Sequence, residues 1–170
     1  MMSLASLETP RAWLLAGAAV TVAAPLVGSG IAALGLAGRS ARALAIVASG
    51  ISLAASCLIA AAWTASDGTP VGFGETIGDG RLVFIDGLTA ALLPYVALIS
   101  IAILLVAPRR ALDTTSVRRS LLGLAATFAV FLTSHPLALV ALWIATAQPT
   151  WRATRVTPGG RPAARVYAIS

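Results

Sequence analysis

Long apolar stretches separated by short polar segments organise this chain. About 20 helical residues cross the roughly 30 Å hydrocarbon layer of a bilayer, and several stretches reach that length. We predict transmembrane helices at 13–36, 43–64, 87–107, 118–134 and 137–151. Segment 1–12 precedes them, an outer loop covers 65–86, and a tail covers 152–170. The pattern predicts an all-α polytopic membrane protein with about five transmembrane helices.

The fifth stretch gives the weakest prediction of a span. Its apolar part, from Leu137 to about Ala147, is too short to cross alone unless the helix extends to Trp151. Pro149 argues against a regular helix at that point, because proline lacks a backbone N–H. The pair His135-Pro136 predicts a tight break before this helix.

The first stretch contains residues that disfavour a straight helix. Pro25 and the Gly-Ser-Gly triplet at 28–30 predict a kink or a loosened turn midway. A cleaved signal peptide is the rival interpretation. The stretch is too long for the apolar part of a signal peptide, and Glu8 offsets Arg11 where a basic bias is usual. We therefore expect a membrane span.

The second stretch carries small hydroxyl residues on one face. Ser49, Ser52 and Ser56 are spaced three and four residues apart, which favours close contact with a neighbouring helix. Trp63 lies near the end of the stretch, where an indole prefers the headgroup layer. Cys57 is the single cysteine, so an intramolecular disulfide is excluded, and we expect a small buried hydrophobe there.

The loop at 65–86 is acidic and rich in glycine. Asp79-Gly80 is a turn signal between the β-prone segments 71–77 and 81–85, so the sequence predicts a short extramembrane β-hairpin. The glycine pattern GFGETIG does not match a phosphate-binding motif, which argues against a nucleotide site. Asp86 suits the N-terminus of the third helix, and Pro94 predicts a kink within that helix.

Composition and charge then orient the predicted spans. Hydrophobic residues make up 58% of the chain and charged residues 11%, which excludes an ordinary soluble domain and makes nucleic-acid binding improbable. The basic links and the tail all fall on one side if there are five crossings: Arg39, Arg42, Arg109, Arg110, Arg118, Arg119, Arg152, Arg155, Arg161 and Arg165. By the positive-inside rule that side is cytoplasmic, and the N-terminus and the 65–86 loop lie outside.

The predicted spans lack the side chains that transporters use inside the membrane. None contains Asp, Glu, Lys or His, although a buried ionisable group usually marks an ion pathway. Asp86, at a helix mouth, and His135, at a helix break, are the nearest candidates for a proton path. The sequence has no metal-ligand cluster, no catalytic triad and no cofactor motif, so we expect no cofactor, no metal and no autonomous catalysis.

Two segments resemble a known family. The segment FIDGLTAALLPYV, with Asp86 and Gly87 opening the third helix, resembles the large antiporter-like subunits of respiratory complex I and of Mrp cation/proton antiporters. The segment FLTSHPLALVALWI is similar to the passage from their fourth to their fifth helix. The resemblance covers roughly residues 10 to 150 in order. It implies a subunit like the N-terminal third of NADH-quinone oxidoreductase subunit 5.

One position departs from the family pattern. The family has glutamate after the tryptophan of the fifth helix, whereas Ile144 follows Trp143 here, so the proton-pathway carboxylate does not carry over. Of these two residues, only Trp143 matches the family pattern, and the resemblance implies a packing role for it. The segment RPAAR at 161–165 resembles the divergent DabB-type subunits of inorganic-carbon uptake complexes. The membrane-buried lysines of the family would lie beyond residue 170, so the chain looks like a fragment or a truncated paralogue.

The resemblance implies a subunit that supports ion-coupled transport, of inorganic carbon in the DabB-type branch, without conducting ions by itself. Its partners would be other membrane subunits of a complex I-like, Mrp-like or DabA-DabB-like assembly in the cell inner membrane. A small stand-alone scaffold or assembly protein is the alternative. A subunit of a quinone-reducing complex I is a third possibility, which Ile144 weakens.

Overall fold

The computed structural model describes residues 4–35, 40–77, 80–108 and 112–156. The elements in chain order are α1 (Leu4–Ala33), α2 (Ala41–Ala65), β1 (Val71–Ile77), β2 (Gly80–Ile85), α3 (Gly87–Val106), α4 (Thr114–Leu132) and α5 (Pro136–Val156). The tail from residue 157, including RPAAR, lies outside the described residues, as do Arg39, Arg109 and Arg110.

Four helices are long and apolar enough to cross a membrane. These spans are Arg11–Ala33, Ala41–Ala65, Gly87–Val106 and Thr114–Leu132, and α5 contributes a shorter apolar part, Pro136–Gln148. The chain is therefore an all-α polytopic membrane protein with a small antiparallel hairpin, as the sequence predicted. Pro149 argued against a regular helix at that point, but it lies inside α5, and the helix continues beyond the predicted residue 151 to Val156. A proline removes a single helical hydrogen bond, and the turns on either side keep theirs.

The predicted hairpin is confirmed at the residues expected. Strands β1 and β2 pair in antiparallel fashion, with Val71 opposite Ile85 and Phe73 opposite Val83, and the register shifts between Phe73 and Thr76. The pairing closes at Ile77 opposite Gly80. Asp79, which supplies half of the turn signal, lies outside the described residues, as does Gly78. Val71 and Ile85 point into the core, so one face of the hairpin covers the end of the helix bundle.

The helices form an antiparallel bundle around α2. This helix packs against α1 and α3, α4 packs against α1, and α5 packs mainly against α4. A larger core cluster lies at the hairpin end, around Phe128, Ile59 and Leu14. A smaller cluster at the opposite end joins Ala45 to Leu121. Two hydrophobic centres at opposite ends of one bundle hold the helices along their length.

Small residues let α1 and α2 approach closely. A Cβ atom added at Gly17 would lie 2.7 Å from Cγ1 of Ile59, and one at Gly28 would lie 3.0 Å from Cβ of Ala48. Both distances are too short for ordinary packing, so the glycines set the helix separation. The predicted contact face of α2 is confirmed, because Ser49, Ser52 and Ser56 are fully buried.

Pro25 and Ser52 together satisfy one backbone carbonyl. Pro25 lies within the continuous helix α1 and has no N–H to donate to the carbonyl oxygen of Thr21, four residues earlier. The Ser52 hydroxyl donates to that oxygen across the helix interface at 3.0 Å. The carbonyl oxygen of Ala48, in the same helix as Ser52, lies slightly farther from the hydroxyl, at 3.2 Å. The bond therefore fills the gap that the proline leaves.

Cys57 does not follow the expectation from the sequence. Its side chain is exposed on the outer surface of α2, so the predicted small buried hydrophobe is wrong. The whole stretch around it is apolar, and hydropathy alone does not separate the face toward lipid from the face toward other helices. The buried face of α2 instead follows its serines and alanines.

The Pro25–Ser52 arrangement predicts a coupled pair of substitutions. Ser52→Ala should lower the free energy of unfolding by about 1 kcal/mol, because it removes an interhelical hydrogen bond. The loss should become close to zero in a Pro25→Ala background, where an N–H at position 25 bonds to Thr21. A double-mutant cycle measured by reversible unfolding in mixed micelles tests this prediction.

Ser56→Ala is the matched control, since the Ser56 hydroxyl donates only to Leu53 of its own helix. Its effect should be smaller than the loss from Ser52→Ala, because it removes no hydrogen bond between helices. Equal losses from Ser52→Ala in both backgrounds would show that the bond to Thr21 does not compensate for the proline.

Candidate functional site

The candidate residues at the hairpin end lie on two segments joined by hydrogen bonds. The backbone N–H of Arg81 donates to Oγ of Ser134 at 2.9 Å, and the N–H of Ser134 donates to the carbonyl of Arg81 at 3.1 Å. The Thr89 hydroxyl donates to the carbonyl of Phe131 at 3.1 Å. These bonds fasten β2 and the start of α3 to the end of α4, and the two segments carry Asp86 and His135.

Asp86 caps the N-terminus of α3. Its Oδ1 accepts a hydrogen bond from the backbone N–H of Thr89 at 2.8 Å, which is the N3 position of the helix. This bond is the main cause of a pKa below the ordinary value of 3.8. The carboxylate is thus held in its charged form by the helix terminus, as the predicted helix-start role requires. A group held in that state is poorly suited to exchanging protons near neutral pH.

Gly87 makes room for the ring of Trp63. A Cβ atom at position 87 would lie 2.9 Å from Cη2 of Trp63, and one at Gly68 would lie 3.2 Å from the same atom. The indole therefore lies between two backbone segments at the hairpin end. The Asp-Gly pair that carries the family resemblance has a local structural explanation here, with one residue capping a helix and the next receiving a ring.

His135 also acts as a helix cap. Its Nδ1 accepts a hydrogen bond from the backbone N–H of Ala138 at 3.3 Å, and its own N–H donates to the Thr133 hydroxyl at 3.3 Å. Pro136 occupies the first position of α5, where the absent N–H costs no helical bond. An accepting Nδ1 carries no proton, so only Nε2 remains for other chemistry. The predicted break between α4 and α5 is confirmed at residues 133–135.

The two proton-path candidates do not interact directly. Within the described part of the chain, no ion pair or hydrogen bond joins Asp86 to His135, and each serves a different helix. No group of three or more His, Cys, Asp or Glu residues that could hold a metal ion occurs among the described residues. The arrangement fixes helix ends and brings no nucleophile beside a base.

Trp143 and Ile144 lie away from the other helices. Their side chains are 66% and 63% exposed on the outer face of α5. Any packing role for them is therefore toward lipid or another chain, and the packing role implied by the resemblance stays a prediction. No protein-family model matches the chain, and no curated protein matches it in sequence.

Several residues at this end were not anticipated from the sequence. Thr89, Ser134 and Arg81 tie the segments together there. At the opposite end of the bundle, Asp113 was likewise not anticipated, and it caps α4 by accepting from the N–H of Ser116 at 2.9 Å. Both aspartate caps have a detectable signal, an aspartate directly before a helical stretch. The Thr89 and Ser134 contacts depend on which helices are neighbours and have no such local signal.

Asp86→Ala should lower the free energy of unfolding by about 1 kcal/mol at neutral pH, because it removes an N-cap. Asp86→Asn should keep most of that stability, since an amide oxygen also accepts from Thr89. The pKa of Asp86 is lower in the folded protein than its ordinary value of 3.8. The stabilisation that depends on its charge is therefore complete above pH 3.8, and it is lost as the pH falls through the folded-state pKa. Unfolding measured against pH for the three proteins tests this. An equal loss for alanine and asparagine would contradict the capping role.

Proposed function

We propose that this chain is a packing and partner-contact subunit of an antiporter-like membrane assembly, of the type found in complex I and Mrp antiporters. Within that superfamily the DabB-type inorganic-carbon branch is the nearer one, because glutamate is replaced at Ile144. In this proposal the chain supports ion-coupled transport and does not conduct ions by itself.

The proposal rests on the role of the two ionisable residues nearest to the membrane spans, which both act as helix caps. Asp86 and His135 both accept backbone N–H bonds at helix starts, so Oδ1 of Asp86 and Nδ1 of His135 are engaged in holding the fold. None of the four described spans contains Asp, Glu, Lys or His in its apolar interior. Proton relays inside membranes are chains of such groups, and these four described spans supply none of them.

The outer face of α5 supports the partner-contact part of the proposal. Leu137, Val140, Trp143 and Ile144 are all more than half exposed, and they recur at the spacing of one helical face. Helix α5 packs mainly on α4, so it is the least enclosed helix of the bundle. A tryptophan among large aliphatic side chains offers a broad apolar surface to a neighbouring subunit.

Ion conduction by the isolated chain is the direct test. In sealed vesicles it should give no cation-driven pH change, and Ile144→Glu should not create one, because no lysine exists in the chain to pair with the carboxylate. Ile144→Glu should also lower the folded yield, since an unpaired charge on an apolar face is costly. Ile144→Leu should be tolerated within about 1.5 kcal/mol. A saturable proton flux from the parent or from the glutamate variant would overturn the proposal.

A stand-alone scaffold is the second candidate, and the contact between α1 and α2 favours it. The small-residue face of α2 is already used within the chain, through Ser52 and Thr21. Purification from native membranes in mild detergent separates the two. Recovery with antiporter-like membrane subunits supports the leading proposal, whereas recovery of the chain without them supports the scaffold.

The arrangement of the helix ends supports an orientation in the membrane. Nη2 of Arg42, at the start of α2, donates to the carbonyl of Leu105, at the end of α3, at 2.7 Å. Arg118 and Arg119, near the start of α4, belong to the same end, which is opposite to the hairpin. By the positive-inside rule we propose that this arginine-rich end faces the cytoplasm and that the hairpin lies outside.

Cysteine labelling tests the orientation. On a Cys57→Ser background, Gly74→Cys in the hairpin should react with an impermeant maleimide in intact cells. Ala111→Cys in the basic link should react only after the cells are opened. The reverse pattern would invert the proposed topology.

A further inference from the structure

A groove lined by hydroxyl groups lies between α2, α3 and α4. Helix α3 packs on α2, and α4 packs mainly on α1, so α3 and α4 diverge and leave a space of about 280 Å³. Four hydroxyl-bearing side chains line it among apolar ones: Ser49, Ser100, Ser120 and Thr127. The groove is separate from the hairpin end and from the exposed face of α5.

Ser49 is the unusual member of this set. It is fully buried, and its Oγ has no hydrogen-bond partner. Ser52 and Ser56, on the same face of the same helix, are equally buried and both bond to backbone carbonyls. A hydroxyl held away from both water and protein partners is unfavourable, and Ser49 lines the groove. A polar occupant of the groove would supply the missing partner once the Ser49 side chain turned toward it.

The hydrogen-bond directions define what that occupant must be. Ser100 donates to the carbonyl of Val96, and Thr127 donates to that of Gly123, each at 2.9 Å. Both hydroxyls have used their protons and offer only oxygen lone pairs. The occupant must therefore donate to them while also bonding to Ser49. No carboxylate lines the groove, so a metal cation would lack a compensating charge.

We propose that this groove is a hydration site that holds several water molecules between the helices. Water donates and accepts, as the hydroxyl set requires, and the volume suits several molecules at about 30 Å³ each. Ser120 follows the exposed Arg119, so water would enter from the arginine-rich end. Ser49 is eight residues from the start of α2, which is about 12 Å along the helix. The proposal goes beyond the proposed function and does not depend on it.

Cysteine reactivity tests the proposal in the full chain in native membranes. On a Cys57→Ser background, Ser49→Cys is treated with a small, water-soluble and membrane-permeant methanethiosulfonate. This reagent reacts with the thiolate, which forms where water reaches the sulfur. The reaction should be at least about tenfold faster than for Ser56→Cys, the matched control on the same helix with the same burial.

Blocking the groove supplies a second readout. Ser120→Leu should slow the reaction of Ser49→Cys and leave that of Ser56→Cys unchanged. If Ser49→Cys does not fold, Ser100→Cys reports on the same water, because it lines the same groove. Reactivity no greater than that of Ser56→Cys in membranes would overturn the proposal. The proposal would also fail if Ser49→Cys were unreactive in membranes and became reactive after detergent extraction. A partner helix would then be the occupant of the groove.

Discussion

The pairing of every backbone polar group within the bilayer is the constraint on which this bundle depends. Lipid offers no hydrogen bonds, so each carbonyl or N–H that a helix leaves unpaired must find a protein partner. Pro25 creates such a gap at Thr21, and the Ser52 hydroxyl on the neighbouring helix fills it. The last turn of α3 has the same need, and the Arg42 guanidinium meets it at Leu105. A backbone carbonyl left unpaired in one helix thus becomes a hydrogen-bonding point for a side chain of the adjacent helix.

The same constraint accounts for the polar residues at helix starts. Asp86, Asp113 and His135 each accept the N–H three positions later, at the first turns of α3, α4 and α5. Two of the chain's six acidic residues and its single histidine therefore cap helix starts. An ionisable residue engaged in this way cannot be equated with a transport residue on sequence grounds. These capping contacts favour packing and partner contact over conduction as the proposed role.

The sequence was sufficient to predict the features that depend on residues close together in the chain. The hairpin strands fall at 71–77 and 80–85 because the turn signal and β-prone residues act over a few positions. The cap at Asp86 is equally local. The exposure of Cys57 and the bond from Thr89 to Phe131 depend instead on which helices are neighbours. Hydropathy does not reveal those neighbours, because the faces toward lipid and toward the core are both apolar.

Residue size separates the two faces better than polarity does. The buried positions of α2 are alanines and serines, with Ile59 the single large exception, whereas Val47, Ile51 and Leu58 point outward. Close backbone approach provides dispersion contacts that large side chains would prevent, and lipid solvates those side chains as well as a protein core does. A serine on a buried face is therefore expected for packing alone. What distinguishes Ser49 is its unpaired oxygen beside a groove, and that feature emerges only when three helices are seen together.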